Sequence, residues 1–383
     1  MERIYLDHAA TTPLHPSVID EMMPLFADVY GNPSSIHHFG RESRRYLDNA
    51  RETLANTINA SSDDIIITSG GTEADNLAIF GAAYSNKQKG KHIITTVIEH
   101  HAVLHACQQL EREGFEVTYL PVDQNGLVDI EELRSALRDD TILVTIMYGN
   151  NEIGVIQPLA QIGEVIKAHS DSIVFHTDAV QAYGIVPIDV TQLKVDLLSV
   201  SAHKINGPKG VGFLYIQKGI SLIPRLYGGE QERKRRAGTE NVPGIVGFAF
   251  AAKLAQAELN ERQAQYLQYK QTMIATLREE EVDFTVNGDL DCNLAHVLNV
   301  YFPNTNVEAL LVNFDLAGIA ASSGSACTAG SIEPSHVLTA IFGSGAPETT
   351  GSVRFSFGYG NSDEQVNRAG KMIAKIVKQL TKM

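Results

Sequence analysis

Three cysteines in 383 residues are too few, and odd in number, for a disulfide framework. They stand far apart, at Cys107, Cys292 and Cys327, a usage that suits a reducing cytoplasm. The chain also lacks any run of about 18 apolar residues, so no membrane-spanning helix is expected. Its first residues, MERIYLDHAATT, carry charges where a secretory leader needs an apolar core. Basic residues are in deficit: 31 Lys and Arg against 45 Asp and Glu leave a net charge of −14. That balance argues against broad nonspecific nucleic-acid binding, and no direct nucleic-acid partner is expected. No fixed-period repeat or low-complexity tract stands out, which excludes solenoids and disordered tails. What is present is an ordinary globular composition, 44% hydrophobic and 20% charged. At about 150 residues per domain the length allows two or three domains.

From about Asp63 to Ile216 short β-branched runs alternate with amphipathic segments. The runs are Ile65–Thr68, His92–Ile98, Phe115–Leu120, Ile142–Met147, Ile173–His176, Leu197–Val200 and Val211–Ile216. Helical patterns fall between them at Glu73–Tyr84, Ala102–Glu113, Ile130–Arg138 and Leu159–Ala168. This rhythm predicts an α/β fold with a mostly parallel sheet and helices on both faces. Near-continuous apolar strands such as TILVTIM fit a sheet covered on both sides. Pro243 opens a long helical pattern through about Met273. Beyond it, strand patterns at Phe284–Val286, His296–Phe302, Ile319–Ser322 and Val353–Phe357 mix with helical ones at Val307–Phe314, His336–Phe342 and Asp363–Leu380. We take residues 15–260 as a large domain and residues 1–14 with 261–383 as a smaller α/β domain.

Several strand ends carry residues suited to one kind of chemistry. In SVSAHKINGPKGVGFLY, Lys204 follows a strand and precedes a glycine- and proline-rich turn. A lysine held there, with its pKa lowered, can form a Schiff base with a carbonyl. Ile65–Thr68 runs into Ser69-Gly70-Gly71-Thr72 and then a helix, so free amides and the Thr72 hydroxyl can hold an anion. The spacing is neither that of dinucleotide-binding loops nor that of nucleotide-phosphate loops. Asp178, in FHTDAVQ, ends a strand where a carboxylate can bind a protonated ring nitrogen, with Gln181 in reach of a phenolic oxygen. In EHHAV, His100 stands nearer the strand end than His101 and can stack on a flat ring or move protons. Asn150 and Asn151 close a further strand with amide groups. Each feature has a plainer reading taken singly: an ordinary turn, a capping aspartate, a solvated histidine or a surface lysine. Together they describe a pyridoxal-phosphate pocket.

The segments YLDHAATT, GNPSSIHHFG, TSGGTEADN, EHHAVL, NNEIGV, HTDAVQ, SAHKINGPKG, RRAGTENVPG, SSGSACTAG and VRFSFG span nearly the whole chain in order. They resemble those of cysteine desulfurases of the NifS/IscS type, which are class-V aminotransferase-like enzymes. The resemblance implies fold type I of pyridoxal-phosphate enzymes, similar to aspartate aminotransferase, with a seven-stranded sheet in the large domain. It implies that Lys204 holds the cofactor, that His100 stacks on its ring, and that Asp178 and Gln181 contact its nitrogen and phenolate oxygen. Gly71, Thr72, Ser201 and His203 are implied to bind the phosphate, with Thr239 reaching the phosphate of the other subunit of a homodimer. Asn151 and Arg354 are implied to hold the substrate carboxylate; a guanidinium fork suits that task, although a salt-bridging strand arginine would look the same. No metal site is expected.

Ser322 to Ser331, SSGSACTAGS, is small, polar and glycine-rich, and reads as a mobile loop before a helix that follows Pro334. Cys327 in that loop is implied to take sulfur from L-cysteine as a persulfide, leaving L-alanine, and to pass it to an iron–sulfur scaffold or a tRNA-thiolation acceptor. Cys107 reads as a packed helix residue and Cys292 as a loop or strand-edge residue. The rivals are a selenocysteine lyase, an aminotransferase or other lyase of the same fold, and a sulfur-relay protein without cofactor chemistry. The basic run Arg233-Lys234-Arg235-Arg236 after Glu232 reads as a solvated face or a subunit contact, or else as a guide for an acidic acceptor.

Overall fold

The computed structural model describes residues 3–324 and 334–382. In chain order its strands are β1 (Ile4–Tyr5), β2 (Ile65–Thr68), β3 (His92–Thr96), β4 (Glu116–Leu120), β5 (Thr141–Thr145), β6 (Val174–Asp178), β7 (Leu197–Ser201), β8 (Gly212–Ile216), β9 (Thr285–Asn287), β10 (Val297–Tyr301), β11 (Ile319–Ala320) and β12 (Ser352–Ser356). Seven of them form one sheet in the order β2-β8-β7-β6-β5-β3-β4. Strands β4, β3, β5, β6 and β7 pair in parallel, and β8 runs antiparallel to both β7 and β2.

Side chains alternate across this sheet with period two, so each strand feeds two cores. Ile65, Ile67, Phe175, Leu198 and Val200 pack on one face, with the helices Pro16–Ala27, His38–Asn56 and Val242–Ala257. Ile66, Val174, Leu197 and Leu214 pack on the other, with Gly71–Asn86 and His101–Arg112. That explains the continuous apolar strands: β3, β5, β6, β7 and β8 are buried along their whole length, while the edge strand β4 is mostly half-exposed. Cys107 is buried in this second layer, as expected for a packed helix residue.

A separate apolar core gathers around the antiparallel sheet β12-β10-β9 and the helices Leu259–Glu279 and Asp363–Leu380. The expected single helix from Pro243 is instead two, Val242–Ala257 and Leu259–Glu279, bent by 74°. The break needs neither glycine nor proline. The first helix is buried in the core of the large sheet through Ile245, Phe248 and Ala252, and the second in the other core through Tyr269, Met273 and Leu277. No single helix among the described residues is long and apolar enough to cross a membrane. The N-terminal segment ties the two halves together: β1 pairs with β11, Ala9 N–H donates to Ser356 Oγ, and Thr12 Oγ1 donates to the His203 carbonyl.

The basic run is part solvated face and part anchored turn: Arg233 and Lys234 are exposed, while their neighbour Glu232 is buried. Glu232 is buried and accepts a two-pronged pair from Arg51, each N–O distance 2.7 Å, and also the Ile67 N–H at 2.8 Å. Arg233 pairs with Asp63, Lys234 with Glu230 and Arg236 with Glu73. Residues 232–234 adopt three successive positive φ angles of 45°, 56° and 63° without a glycine. That conformation costs roughly 1–2 kcal/mol per residue, and the ion pairs that fasten the turn to the edge strand β2 offset it. Removing one member of a buried pair leaves the other charge stranded. Arg51→Ala is therefore expected to lower stability by about 3–5 kcal/mol in urea unfolding, and a loss under about 1 kcal/mol would show the pair to be marginal.

Candidate active site

The carboxyl ends of β2, β3, β5, β6 and β7 converge on one cavity of about 360 Å³. Such strand ends are where open α/β sheets place ligands. The cavity is lined by Gly71, Thr72, His100, Asn151, Asp178, Gln181, Ser201, His203, Lys204 and Arg354, ten of the residues singled out above. Thr239 is exposed and lies outside it. Cys327 falls outside the described residues, but Gly324 before it and His336 after it both line the cavity.

Lys204 sits on a short helical turn after β7, its Nζ donating to the carbonyls of Ala9 at 2.6 Å and Ala10 at 2.8 Å. Burial, helped by the Arg354 charge, lowers its pKa to about 8, against the pull of Asp178 and Asp7. A substantial share of the amine is then neutral at mildly alkaline pH, which an exposed lysine is not. Asp178 at the end of β6 accepts the Val180 N–H at 2.9 Å, and burial raises its pKa to about 6 despite that bond and Lys204. It still carries its charge at neutral pH.

His100 caps the helix His101–Arg112, its Nδ1 accepting the Ala102 N–H at 3.1 Å. That bond fixes the ring with Nδ1 unprotonated and leaves Nε2 toward the cavity. Desolvation by the surrounding protein and then the Lys204 charge lower its pKa to about 4, so the ring, exposed in the cavity, is a neutral, flat surface. Gln181 donates to the Ala9 carbonyl at 2.9 Å, and its Oε1 lies 3.3 Å from His296 Nε2. An adjoining hollow is formed by Gly71, Thr72, Ser201 and His203 at the start of the helix Gly71–Asn86. A Cβ on Gly71 would lie 2.7 Å from Val180 Cγ2, so a larger residue would fill the approach to the helix's free amides.

Arg354 on β12 reaches the cavity from the other half of the molecule. It donates to the Asn151 carbonyl and to Asp7 Oδ1, both at 2.8 Å, and its Nε–H has no partner among the described residues. The plainer reading, a salt-bridging arginine, is thus present together with the cavity-lining position.

The chain shares the overall pattern of known proteins along its whole length. The model of the family described as Aminotransferase class-V matches residues 4–369. The chain belongs to that family. A Bacillus subtilis (strain 168) protein named "Putative cysteine desulfurase IscS 1" is 60% identical over 381 residues, covering 100% of both chains. Cysteine desulfurase IscS of Methanosarcina thermophila is 50% identical, covering 99% of this chain and 93% of its own. Among solved structures, a NifS-like protein superposes with a TM-score of 0.93 at 37% identity, covering 98% of this chain and 100% of that one. A structure described as SspA in complex with cysteine gives 0.81 at 37% identity, covering 92% and 98%. The fold is accordingly fold type I, as the motifs implied.

This class-V chain also brings residues to the cavity that the motif reading passed over. Asp75 is wholly buried, and its carboxyl lies within 4.8 Å of ligand atoms of both His100 and Asp178. Burial and then the Asp178 charge raise its pKa well above the usual carboxylate range. Its Oδ1 has no hydrogen-bond partner among the described residues. It follows Gly71 by one helical turn, so the i, i+4 spacing already put it on the cavity side. Glu152, next to Asn151, is buried in the cavity wall. A buried acid, a neutral imidazole, an amine of lowered pKa and a phosphate-sized hollow fit a flat heteroaromatic ring that carries a phosphate.

Proposed function

We propose that the protein is a pyridoxal-phosphate-dependent cysteine desulfurase. It takes sulfur from L-cysteine, releases L-alanine and holds the sulfur as a persulfide on Cys327. The observation that carries this reading is the meeting of Lys204, Asp178, His100 and the Gly71–Thr72 hollow in one cavity, whose wall includes the residues flanking the segment 325–333. Curated relatives at 45–60% identity bear the same activity in their names.

In this reading Lys204 attaches the cofactor, which when bound supplies an electron sink for the carbon that loses a proton. Asp178 would hold a proton on the ring nitrogen through its charge, Gln181 would contact the phenolic oxygen, and His100 would offer its flat face to the ring. Gly71, Thr72, Ser201 and His203, which line the adjoining hollow, would hold the phosphate. Asn151 and Arg354, both of which line the cavity, orient the substrate carboxylate. Lys204, with His100 as the alternative, moves the α-proton. The Cys327 thiolate attacks the substrate sulfur, an S–S bond forms, and the C–S bond breaks with its electron pair retained by the three-carbon fragment. Protonation of that fragment yields alanine. The balance needs no outside oxidant, because the carbon fragment takes the electrons the sulfur gives up.

A homodimer in which Thr239 reaches the other subunit's phosphate is part of the proposal. Exposed apolar side chains support it: Phe26, Tyr30, Ile36, Phe39 and Tyr227 are solvent-facing, Ile36 at 91%. Helix Pro16–Ala27 packs on the helix that begins just after Thr239, with Gly247 against Met22. A patch of this kind on a soluble chain marks an association surface. A cytoplasmic location, an iron–sulfur or tRNA-thiolation acceptor, and the division into residues 15–260 and 1–14 with 261–383 belong to the same proposal; the two apolar cores support the last.

The test is to measure alanine and sulfide from L-cysteine, and alanine from selenocysteine, with and without a 2-keto acid, always with an excess of a dithiol that reduces the persulfide and so releases its sulfur as sulfide. Alanine and sulfide released in equal amounts without keto acid is the expected result. Turnover that requires the keto acid would make the protein an aminotransferase, and turnover confined to selenocysteine would make it a lyase of that substrate.

A further inference from the structure

Glu152 has no part in the chemistry above, yet it occupies a singular place. Its backbone is locked: Asn150 Oδ1 accepts the N–H groups of Glu152 and Ile153 at 2.8 and 2.9 Å, and Asn299 donates to the Glu152 carbonyl at 3.1 Å. Asn150 is in turn anchored to the Ile98 carbonyl at 3.0 Å. The side chain then meets two residues that flank the segment 325–333 in sequence.

On the near side stands Gly324, with φ of +87°. A Cβ there would lie 3.0 Å from Glu152 Cγ and Oε2, so the Gly324 backbone packs close to the carboxyl, while its N–H goes to Ser322 Oγ at 3.1 Å. On the far side stands Ser335, the cap of the helix His336–Phe342. Its hydroxyl donates a short hydrogen bond to Glu152 Oε2 while accepting the Leu338 N–H at 3.2 Å. A hydroxyl has one proton. Giving it to the carboxylate turns a lone pair toward Leu338, so Glu152 also sets the cap that starts this helix. The carboxyl is shut off from water, and burial pushes its pKa up to about 7 against Ser335 and Arg354. Ionised or neutral, it can hold the Ser335 hydroxyl, which both donates and accepts.

We propose that Glu152 is a positioning residue: one buried carboxyl group, bonded to Ser335 and packed against Gly324, fixes the two described residues that flank the segment 325–333. The proposal rests on the reading of Cys327 as sulfur acceptor for its consequence in catalysis, but the docking itself does not.

The experiment compares cofactor-loaded wild type with Glu152→Ala, Glu152→Gln, Ser335→Ala and the Glu152→Ala/Ser335→Ala double variant. Hydrogen exchange is followed in peptides covering 319–324 and 334–342 without substrate. Glu152→Ala is expected to speed exchange in both peptides by about tenfold, the worth of one hydrogen bond to a charged group, while Glu152→Gln, which keeps an acceptor for Ser335, restores slow exchange. The kcat for alanine formation should fall about tenfold with KM and cofactor affinity little changed. The double variant should be no worse than the poorer single one, as expected of partners in one contact. Faster exchange in neither peptide, or in only one, would overturn the docking. So would equal damage in Glu152→Gln with loss of cofactor binding, which would mean that Glu152 merely supports the pocket. If the exchange result holds but Cys327 proves dispensable for alanine formation, the functional reading fails and the docking stands.

Discussion

Lys204→Ala is expected to abolish covalent cofactor attachment and lower alanine formation by about 10³-fold or more, because it removes the attachment point together with an acid–base group worth roughly 10²–10⁴-fold. The competing candidate is Lys270, also buried, with its pKa lowered to about 7 by burial. Its amine, however, donates to Asn293 Oδ1 at 2.7 Å and to the Leu294 carbonyl at 2.8 Å, and it does not line the cavity. Lys204 Nζ is also held by two carbonyls, but at the cavity wall beside Asp178. Folding should survive the change. Ala9 O keeps its bond from Gln181, so the loss is on the order of 1 kcal/mol for the remaining unpaired carbonyl. Borohydride reduction followed by peptide mapping locates the modified lysine. Labelled cofactor on any lysine of the Lys204→Ala protein would show that another residue is the attachment point. In the wild type, the rate of cofactor attachment should climb as pH rises toward about 8 and level off above it, since the neutral amine is the reacting form and its pKa is lowered to about 8. A lysine of ordinary pKa would keep gaining rate to beyond pH 10, near the unperturbed value of about 10.4.

The parallel sheet was legible because its strands are buried on both faces, which turns period-two packing into unbroken apolar runs. All seven runs reappear within two residues of their expected ends; the runs set to Ile98 and Met147 each stop two residues early, at Thr96 and Thr145. The helix break at Glu258 was not legible. Both helices are good formers, and the kink arises only because successive turns belong to different cores. The helices Pro16–Ala27 and His38–Asn56 were passed over for a related reason. The first carries Pro24 inside it, and the second is mostly polar, burying Leu47, Leu54 and small residues beneath a charged face.

The site was legible where a strand end and a reactive residue coincide in sequence, as at Asp178, Ser201 and Lys204. It was illegible where the partner comes from far along the chain. Nothing local in RRAG or EHHAV shows that Arg236 will pair with Glu73, or that Asp75 will sit beside both His100 and Asp178. The basic run shows the same limit: its charges look unpaired in sequence, yet Arg51, Asp63 and Glu73 arrive from 160 residues or more away. The carbonyls of Ala9 and Ala10 that hold Lys204 carry no side-chain signal at all, and only the threading of residues 9–12 between the two halves brings them there.

Cys327→Ser is expected to cut alanine and sulfide formation from L-cysteine by about 10³-fold or more while leaving cofactor absorbance intact, because a hydroxyl neither ionises near neutral pH nor accepts sulfur. The choice of this thiol follows from the fate of the other two. Cys107 is fully buried between helix and sheet, and burial pushes its thiol pKa far up, so it is neither accessible nor ionised. Cys292 is exposed and is the only rival, but its backbone carbonyl is tied to the Ile156 N–H at 3.0 Å and it does not line the cavity. Cys327 lies outside the described residues, yet the chain before and after it lines that cavity through Gly324 and His336. A single turnover with limiting L-cysteine, followed by alkylation and mass measurement, should find one extra sulfur on the Cys327 peptide of wild type. In Cys292→Ser the yield should match wild type, and in Cys327→Ser it should vanish. Extra sulfur on Cys292 in the wild type, or alanine release by Cys327→Ser at a tenth of the wild-type rate or better, would move the sulfur acceptor elsewhere. The cofactor band separates this failure from that of Lys204: losing the lysine removes the band and the reaction together, whereas losing the thiol removes the reaction alone.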